Sequence, residues 1–211
     1  MEMASYQVNM NFYNYYRSGT SRRVEIALKF KGIPYKDIQV DLIADEHLKD
    51  EFKIINPQQL VPSLEVGKGI ILSQSPAILE WLDEEFPTPA LLPSNRLDKS
   101  YVRQLASIIG CDTHPLNNKR VLEYLRHGFK IEKPRIKEWA SHWINDSFDA
   151  YEQLIELDKN RKDFSFGDTP SMADIYLIPQ VESSKRFDVD MSKWPNIQSV
   201  YLNCKKIEAF K

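Results

Sequence analysis

A proline-rich break at residues 86–93 divides the chain into two parts with different patterns. The segment reads FPTPALLP, and prolines at this density end regular secondary structure. Before the break, apolar segments with strand and helix spacing alternate, whereas only helical spacing follows it. For the 211 residues we therefore predict an α/β domain at 1–86, a linker at 87–95 and an all-α domain at 96–211.

The first part has the element order of a thioredoxin-like domain. Apolar residues at every second position from 6 to 12 predict a strand. Further expected elements are a helix ending at Gly32, a strand at 36–41, a loop at 47–52, a hairpin at 63–72 and a helix capped by Ser75. After the break we expect helices around 101–108, 116–125, 139–154 and 172–178, and one from Pro195. Ser171 and Asp174 have the spacing of a capping box.

Composition narrows the classes of function. Lys plus Arg is 28 and Asp plus Glu is 30, a balance that favours neither nucleic acid nor an anionic membrane as partner. We see no secretory signal and no apolar run long enough for a bilayer, so we expect a cytoplasmic protein. The two cysteines, Cys111 and Cys204, form no CxxC pair, and we expect both to be buried. No metal site is predicted.

Three turns combine hydroxyl, proline and amide groups that a small peptide could use. The first is SGTS at 18–21, at a helix start; the second is Val61-Pro62, where a cis bond would turn backbone groups outward; the third is QSP at 74–76. Each alone is more readily explained by an ordinary cap or a loop proline. In a thioredoxin-like fold, however, all three meet at one end of the sheet.

Together these segments resemble the zeta class of glutathione transferases. The similarity rests on YYRSGTSRRVEIAL at 15–28, NPQQLVP at 56–62, PTPALLP at 87–93, CDTHPLNN at 111–118 and FGDTPSMAD at 166–174. It extends over nearly the whole chain in order. The resemblance implies the glutathione transferase fold, a thioredoxin-like α/β domain followed by an all-α domain, in a homodimer. It also implies glutathione as cofactor and a substrate pocket that faces the helical domain.

The resemblance also assigns roles to residues. Ser18 matches the hydroxyl that stabilises the glutathione thiolate, and Thr20 follows it as a second catalytic position. Val61 matches the residue whose backbone pairs with the cysteinyl unit, and Gln74 with Ser75 the pair that holds the γ-glutamyl end. The remaining expected glutathione contacts are Gly19, Ser21, Arg22, Arg23, His47, His114, Asn118, Lys119 and Arg120. Arg186 matches a basic residue suited to a substrate carboxylate.

The best-known activity of the class is maleylacetoacetate isomerisation to fumarylacetoacetate in tyrosine and phenylalanine catabolism, and members also act on small electrophiles. The implied chemistry is thiolate addition to a conjugated cis double bond, rotation and elimination. Gly19 and Thr20 stand where the class typically has Ser and Cys, and Arg22 and Glu25 replace Trp and Arg. Two alternatives stay open: a general glutathione transferase or peroxidase, with Tyr13, Tyr15 or Tyr16 as thiolate partner, and a non-catalytic interaction module.

Overall fold

The computed structural model describes residues 10–211, and its backbone divides into two units between Pro89 and Ala90. The first unit contains a four-stranded sheet with three helices, and the second contains helices only within the described residues. The predicted fold class, an α/β unit followed by an all-α unit, is confirmed. No helix in residues 10–211 combines the length and apolar character needed to cross a bilayer.

The sheet of the first unit is mixed. Its strands are β1 (Met10–Asn14), β2 (Tyr35–Gln39), β3 (Ser63–Glu65) and β4 (Ile71–Ser73), in the spatial order β2-β1-β3-β4. β1 runs parallel to β2 and antiparallel to β3, and β3 and β4 form the predicted hairpin. The part of the predicted first strand that precedes Met10 lies outside the described residues. In this topology the C-terminal end of β1 and the N-terminal end of β3 lie side by side, next to the loops that contain predicted site residues.

The helices of the first unit are α1 (Gly19–Phe30), α2 (Asp50–Ile55) and α3 (Ser75–Glu85), and α1 packs against α3. Gly32 follows α1 with φ +65, the left-handed conformation expected after a helix end. The predicted loop at 47–52 was wrong, because a 3₁₀ turn at Glu46–Leu48 leads directly into α2. α2 forms because Phe52 packs into a cluster with Tyr15 and Val61.

Ser75 does not cap α3, contrary to the prediction. The N-cap is Gln74, which has φ +71, and Ser75 is the first helical residue. Its hydroxyl therefore points into the unit, where Ser75 is 2% exposed. The positive φ of Gln74 turns its own side chain to the surface instead.

Lys31 holds the end of the first unit together. Its side chain is fully buried and its ammonium pairs with Asp83 at 3.0 Å. The same Nζ donates to the carbonyl oxygens of Phe86 at 2.6 Å and Pro89 at 2.7 Å. Three acceptors for three N–H groups satisfy a charge that would otherwise be too costly to bury. The C-terminal end of α3 and the segment after it are thereby fixed to the end of α1.

The second unit is built from α4 (Arg96–Ser107), α5 (Lys119–His127), α6 (Lys133–Leu157), α7 (Met172–Ser184) and α8 (Pro195–Cys204). A π-helical segment, Ile108–Thr113, continues α4 and was not predicted. It places Cys111 at the surface, so the expectation that both cysteines are buried was wrong for Cys111 and correct for Cys204. α7 is the central helix, with buried residues on every side, and it packs against α4 and α8.

The predicted capping box at the start of α7 is confirmed. The backbone N–H of Ser171 donates to Oδ2 of Asp174 at 2.7 Å, and the Ser171 hydroxyl donates to the same oxygen at 2.9 Å. The N–H of Ser165 donates to Oδ1 at 2.8 Å, and Asp174 is completely buried. Burial raises the pKa of Asp174, and the hydrogen bonds from Ser171 and Ser165 offset part of that rise.

Candidate active site

The turn between β1 and α1 carries the first group of predicted site residues. Ser18 is the N-cap of α1, and its hydroxyl accepts the N–H of Ser21 at 3.2 Å. Ser18, Gly19 and Thr20 are partly exposed, whereas Ser21 is buried and its hydroxyl accepts the N–H of Tyr15 at 3.4 Å. The first turn of α1 contains no acidic residue. Its amides therefore present an uncompensated positive end, which favours an anion beside Ser18.

A second hydroxyl connects this turn to the loop before β3. The Thr20 hydroxyl lies 2.9 Å from that of Ser18 and donates to the carbonyl oxygen of Val61 at 3.1 Å. The Val61-Pro62 bond is cis, whereas the dipeptide by itself favoured an ordinary loop proline. A peptide with a thiol needs a hydrogen-bond donor for its sulfur and a hydrogen-bond acceptor for its amide. The Ser18 hydroxyl is such a donor and the Val61 carbonyl such an acceptor, and the Thr20 hydroxyl contacts both. These residues therefore fit a cysteinyl peptide such as glutathione.

The loop at 56–62 is shaped by a residue to which sequence reasoning gave no role. Asn56 is 3% exposed, its Nδ2 donates to the Leu60 carbonyl at 2.8 Å, and its Oδ1 accepts the N–H of Gln58 at 3.0 Å. Gln58 in turn accepts a hydrogen bond from Gln74. Asn-Pro is a known turn signal, so the shape was accessible from sequence although the Gln58–Gln74 pair was not.

The two arginines of α1 have separate environments. Arg22 pairs with Glu25 at 2.8 Å, and Lys29 pairs with the same carboxylate at 2.6 Å. Burial raises the pKa of Glu25, but the hydrogen bonds from Lys29 and Arg22 outweigh it and hold the pKa below its usual value. Arg23 is 2% exposed and its Nη1 lies 3.5 Å from the Ser75 hydroxyl. Arg23 thus packs inside the unit, toward the start of α3.

The remaining predicted contact of the first unit, His47, is half-buried in the 3₁₀ turn Glu46–Leu48. Among the tyrosines considered as alternatives, Tyr15 is buried with Phe52 and Val61, and Tyr16 is 71% exposed. The structure brings Ser18, Gly19, Thr20 and Val61 into one group, because the Thr20 hydroxyl contacts both the Ser18 hydroxyl and the Val61 carbonyl.

In the second unit, four predicted residues gather at the start of α5. Asn118 is its N-cap and accepts the N–H of Arg120 at 3.1 Å, while its Nδ2 lies 3.4 Å from Nε2 of His114. Lys119 and Arg120 are exposed in the first turn, which has no acidic residue. Cations there oppose the helix dipole, so this end of α5 is suited to an anion.

Arg186, the predicted substrate contact, follows α7 in the second unit. It is exposed in the 3₁₀ turn Lys185–Phe187 after α7, which packs beside α6 and α7. No cluster of metal-ligating side chains occurs among the residues that the structure describes.

Comparison with known proteins identifies the family. Residues 17–85 match the model of the glutathione S-transferase N-terminal domain. The chain is 52% identical over 202 residues to a maleylpyruvate isomerase from a Ralstonia species, covering 96% of this chain and 95% of the relative. A holo structure of a maleylpyruvate isomerase, described as a bacterial zeta-class glutathione S-transferase, superposes with a TM-score of 0.93 at 53% identity, covering 95% of this chain and 94% of that one.

A third protein is similar at greater distance. The maleylacetoacetate isomerase of Anaeromyxobacter dehalogenans, solved with bound dicarboxyethyl glutathione and citrate, has a TM-score of 0.86 at 35% identity. The alignment covers 97% of this chain and 90% of that one. The chain belongs to the zeta class of glutathione transferases, the family that includes the maleylpyruvate and maleylacetoacetate isomerases.

Proposed function

We propose that the protein is a glutathione-dependent cis–trans isomerase of maleyl keto acids, with maleylpyruvate and maleylacetoacetate as its substrate class. The observation that carries the proposal is the 52% identity to a maleylpyruvate isomerase over almost the full length of both chains. Further support comes from the Anaeromyxobacter isomerase, whose bound ligand is glutathione carrying a dicarboxyethyl group. The product from maleylacetoacetate would be fumarylacetoacetate, in tyrosine and phenylalanine catabolism.

Ser18 is proposed as the residue that stabilises the sulfur. The chemistry that glutathione supplies when bound is reversible thiolate addition to the conjugated double bond. A free thiol with a pKa of about 8.5 is only roughly 3% ionised at pH 7. Lowering that pKa by about two units requires roughly 2.7 kcal/mol. A hydrogen bond from Ser18 and the positive end of α1 together supply stabilisation of this size.

The other predicted contacts of the first unit would hold the peptide. The Val61 carbonyl is an acceptor for the cysteinyl amide. Gln74 is exposed at the N-cap of α3, and the N–H groups of Ser75 and Ala77 lie in a first turn where Pro76 has none. A carboxylate of the γ-glutamyl end suits this position. Arg23, buried against Ser75, is proposed to position α3 rather than touch the ligand.

The cationic side chains of the second unit are proposed to bind carboxylates of the ligands. Lys119 and Arg120, with His114 and Asn118, would attract carboxylates of glutathione or substrate to the start of α5. Arg186 would bind a substrate carboxylate through its planar fork. Neutralising these carboxylates also favours an enolate that develops as the double bond is attacked.

By the resemblance, we also propose a homodimer that works in the cytoplasm. Light scattering of the purified protein tests the first point, with twice the chain mass of 24.7 kDa as the expected value.

The experiment for the function is an isomerisation assay. Maleylpyruvate and maleylacetoacetate are each incubated with the protein, with and without glutathione, and the trans product is identified by nuclear magnetic resonance. We expect isomerisation of both acids only when glutathione is present. Isomerisation without glutathione would contradict the proposal. Conjugation of 1-chloro-2,4-dinitrobenzene without any isomerisation would support a general glutathione transferase instead.

A further inference from the structure

The hydroxyls of Ser18 and Thr20 form a chain whose direction is fixed at both ends. At one end, the N–H of Ser21 donates to the Ser18 hydroxyl at 3.2 Å. At the other, the Val61 carbonyl can only accept, so the Thr20 hydroxyl donates to it at 3.1 Å. Each hydroxyl has one proton to give. Since the Thr20 proton lies on Val61, the 2.9 Å contact between the two hydroxyls must be filled by the proton of Ser18.

In this arrangement the Ser18 proton is committed to the Thr20 hydroxyl and is not available to an outside acceptor. Rotation about two C–O bonds gives a second arrangement of the same atoms. In it, Thr20 donates to Ser18, Ser18 accepts from both Ser21 and Thr20, and the Ser18 proton is free for an outside acceptor. The second arrangement removes one hydrogen bond from the Val61 carbonyl. A carbonyl oxygen can accept two hydrogen bonds, but a second donor weakens the bond from Thr20, so the second arrangement gains population when another N–H takes that carbonyl.

We propose that Thr20 is a positioning residue that couples peptide binding at Val61 to the direction of the Ser18 proton. An amide of the ligand that donates to the Val61 carbonyl competes with the Thr20 hydroxyl, which then turns to Ser18 and releases the Ser18 proton toward the ligand's sulfur. The inference deepens the proposed function and rests on it. No covalent bond of the protein forms or breaks, because only two hydroxyl groups rotate.

The second arrangement also strengthens the donor. A hydroxyl that accepts two hydrogen bonds is polarised and donates better to a charged acceptor. Threonine is suited to this role because its hydroxyl both donates and accepts well. A cysteine, which the class typically has at this position, offers only a weak donor and a weak acceptor. The role is thus specific to chains that carry a hydroxyl at position 20.

The test compares Thr20→Val, which keeps the shape and removes the hydroxyl, with Thr20→Ser, which keeps the hydroxyl. The pH dependence of thiolate ultraviolet absorbance gives the thiol pKa of bound glutathione in each protein. We expect the pKa in Thr20→Val to lie about one unit above that of the unsubstituted protein, a roughly tenfold loss of thiolate well below the pKa. Thr20→Ser should retain the low value. Thr20→Ala replaces Thr20→Val if circular dichroism shows that the latter is unfolded.

A second measurement separates this role from a purely structural one. S-methylglutathione keeps the cysteinyl amide but has no thiol, and removing the Thr20 hydroxyl takes away a competitor for Val61. The affinity of Thr20→Val for S-methylglutathione, measured by calorimetry, should be within about twofold of that of the unsubstituted protein, or higher. A tenfold weakening would overturn the inference, as would equal thiol pKa values in Thr20→Val and the unsubstituted protein. If the unsubstituted protein itself fails to lower the thiol pKa, the proposed function fails first.

Discussion

Two of the α-helices in residues 10–211 have a serine as N-cap, and the hydrogen bonds of the two serines differ in kind. Ser171, before α7, gives both its N–H and its hydroxyl proton to the Asp174 carboxylate, which is completely buried. Ser18, before α1, shares its hydroxyl with Thr20 and remains partly exposed. A carboxylate can only accept, so the protons around Asp174 have one arrangement. Hydroxyls donate and accept, so those around Ser18 have two. The first cap is built for stability and the second can respond to a ligand.

The largest effect should be the loss of stability when the Asp174 carboxylate is removed from the buried capping box. Asp174→Ala leaves the N–H groups of Ser165 and Ser171 and the Ser171 hydroxyl without their acceptor inside the second unit. We expect the free energy of unfolding to fall by about 4 kcal/mol, measured by urea denaturation. Asp168→Ala is the matched control, because that carboxylate is exposed and its ion pair is with the exposed Lys162. An Asp174→Ala protein with an unchanged unfolding midpoint would show that the capping box is not a stabilising element.

Substitution of Ser18 should lower activity more than stability, the opposite of what is expected at the buried cap. Ser18→Ala loses the hydrogen bond proposed for the thiolate but keeps the positive end of α1, so kcat/KM for isomerisation should fall by roughly tenfold to 100-fold, where 100-fold corresponds to the whole of the about 2.7 kcal/mol that the two supply together. The loss of stability should be only about 1 kcal/mol, typical of a removed N-cap. Tyr16→Phe, on an exposed neighbour, should change neither quantity. A normal rate in Ser18→Ala would exclude the proposed role of this hydroxyl.

The smallest effect concerns alkaline pH, and one partly buried tyrosine from each unit is chosen to measure it. Burial raises the pKa of Tyr35 and of Tyr101 to about 12. Unfolded tyrosines ionise near pH 10, so between about pH 10 and 12 the folded protein binds more protons than the unfolded chain. The free energy of unfolding should therefore decrease as the pH rises through this range.

Urea denaturation at several pH values checks this expectation. The decrease should be shallower in both Tyr35→Phe and Tyr101→Phe than in the unsubstituted protein. Tyr101→Phe should also be less stable at neutral pH, because the Tyr101 hydroxyl donates to the Leu154 carbonyl at 2.8 Å. A slope equal to that of the unsubstituted protein in both variants would contradict the assignment.

Local patterns predicted the features that depend on neighbours in sequence. The hairpin followed from two apolar runs around Gly67 and Gly69, and the capping box from the spacing of Ser171 and Asp174. α2 was missed because it has only six residues and Ile54 is 84% exposed, so its apolar positions show no helical face. Its formation depends on the burial of Phe52 against residues from distant parts of the chain.

The candidate site divides in the same way. Ser18 could be located from sequence because it belongs to a turn at a helix start, and Val61-Pro62 was singled out although the dipeptide did not favour a cis bond over an ordinary loop proline. The bond from Thr20 to Val61 could not, because 41 positions separate the two residues. The N-cap of α3 was misassigned to Ser75 because Ser is a better N-cap than Gln, whereas the observed conformation depends on Gln74 pairing with Gln58. The ligand-binding roles of these residues remain predictions.

The three hydrogen bonds of Lys31 bear on where the first unit can be cut from the rest of the chain. A fragment that stopped at Glu85, the end of α3, would leave a buried ammonium with Asp83 and without two carbonyl acceptors. The stretch from Phe86 to Pro89 thus belongs to the folding of the first unit, although its prolines read as a linker. A fragment meant to fold independently, or to be exchanged between relatives, should extend at least through Pro89.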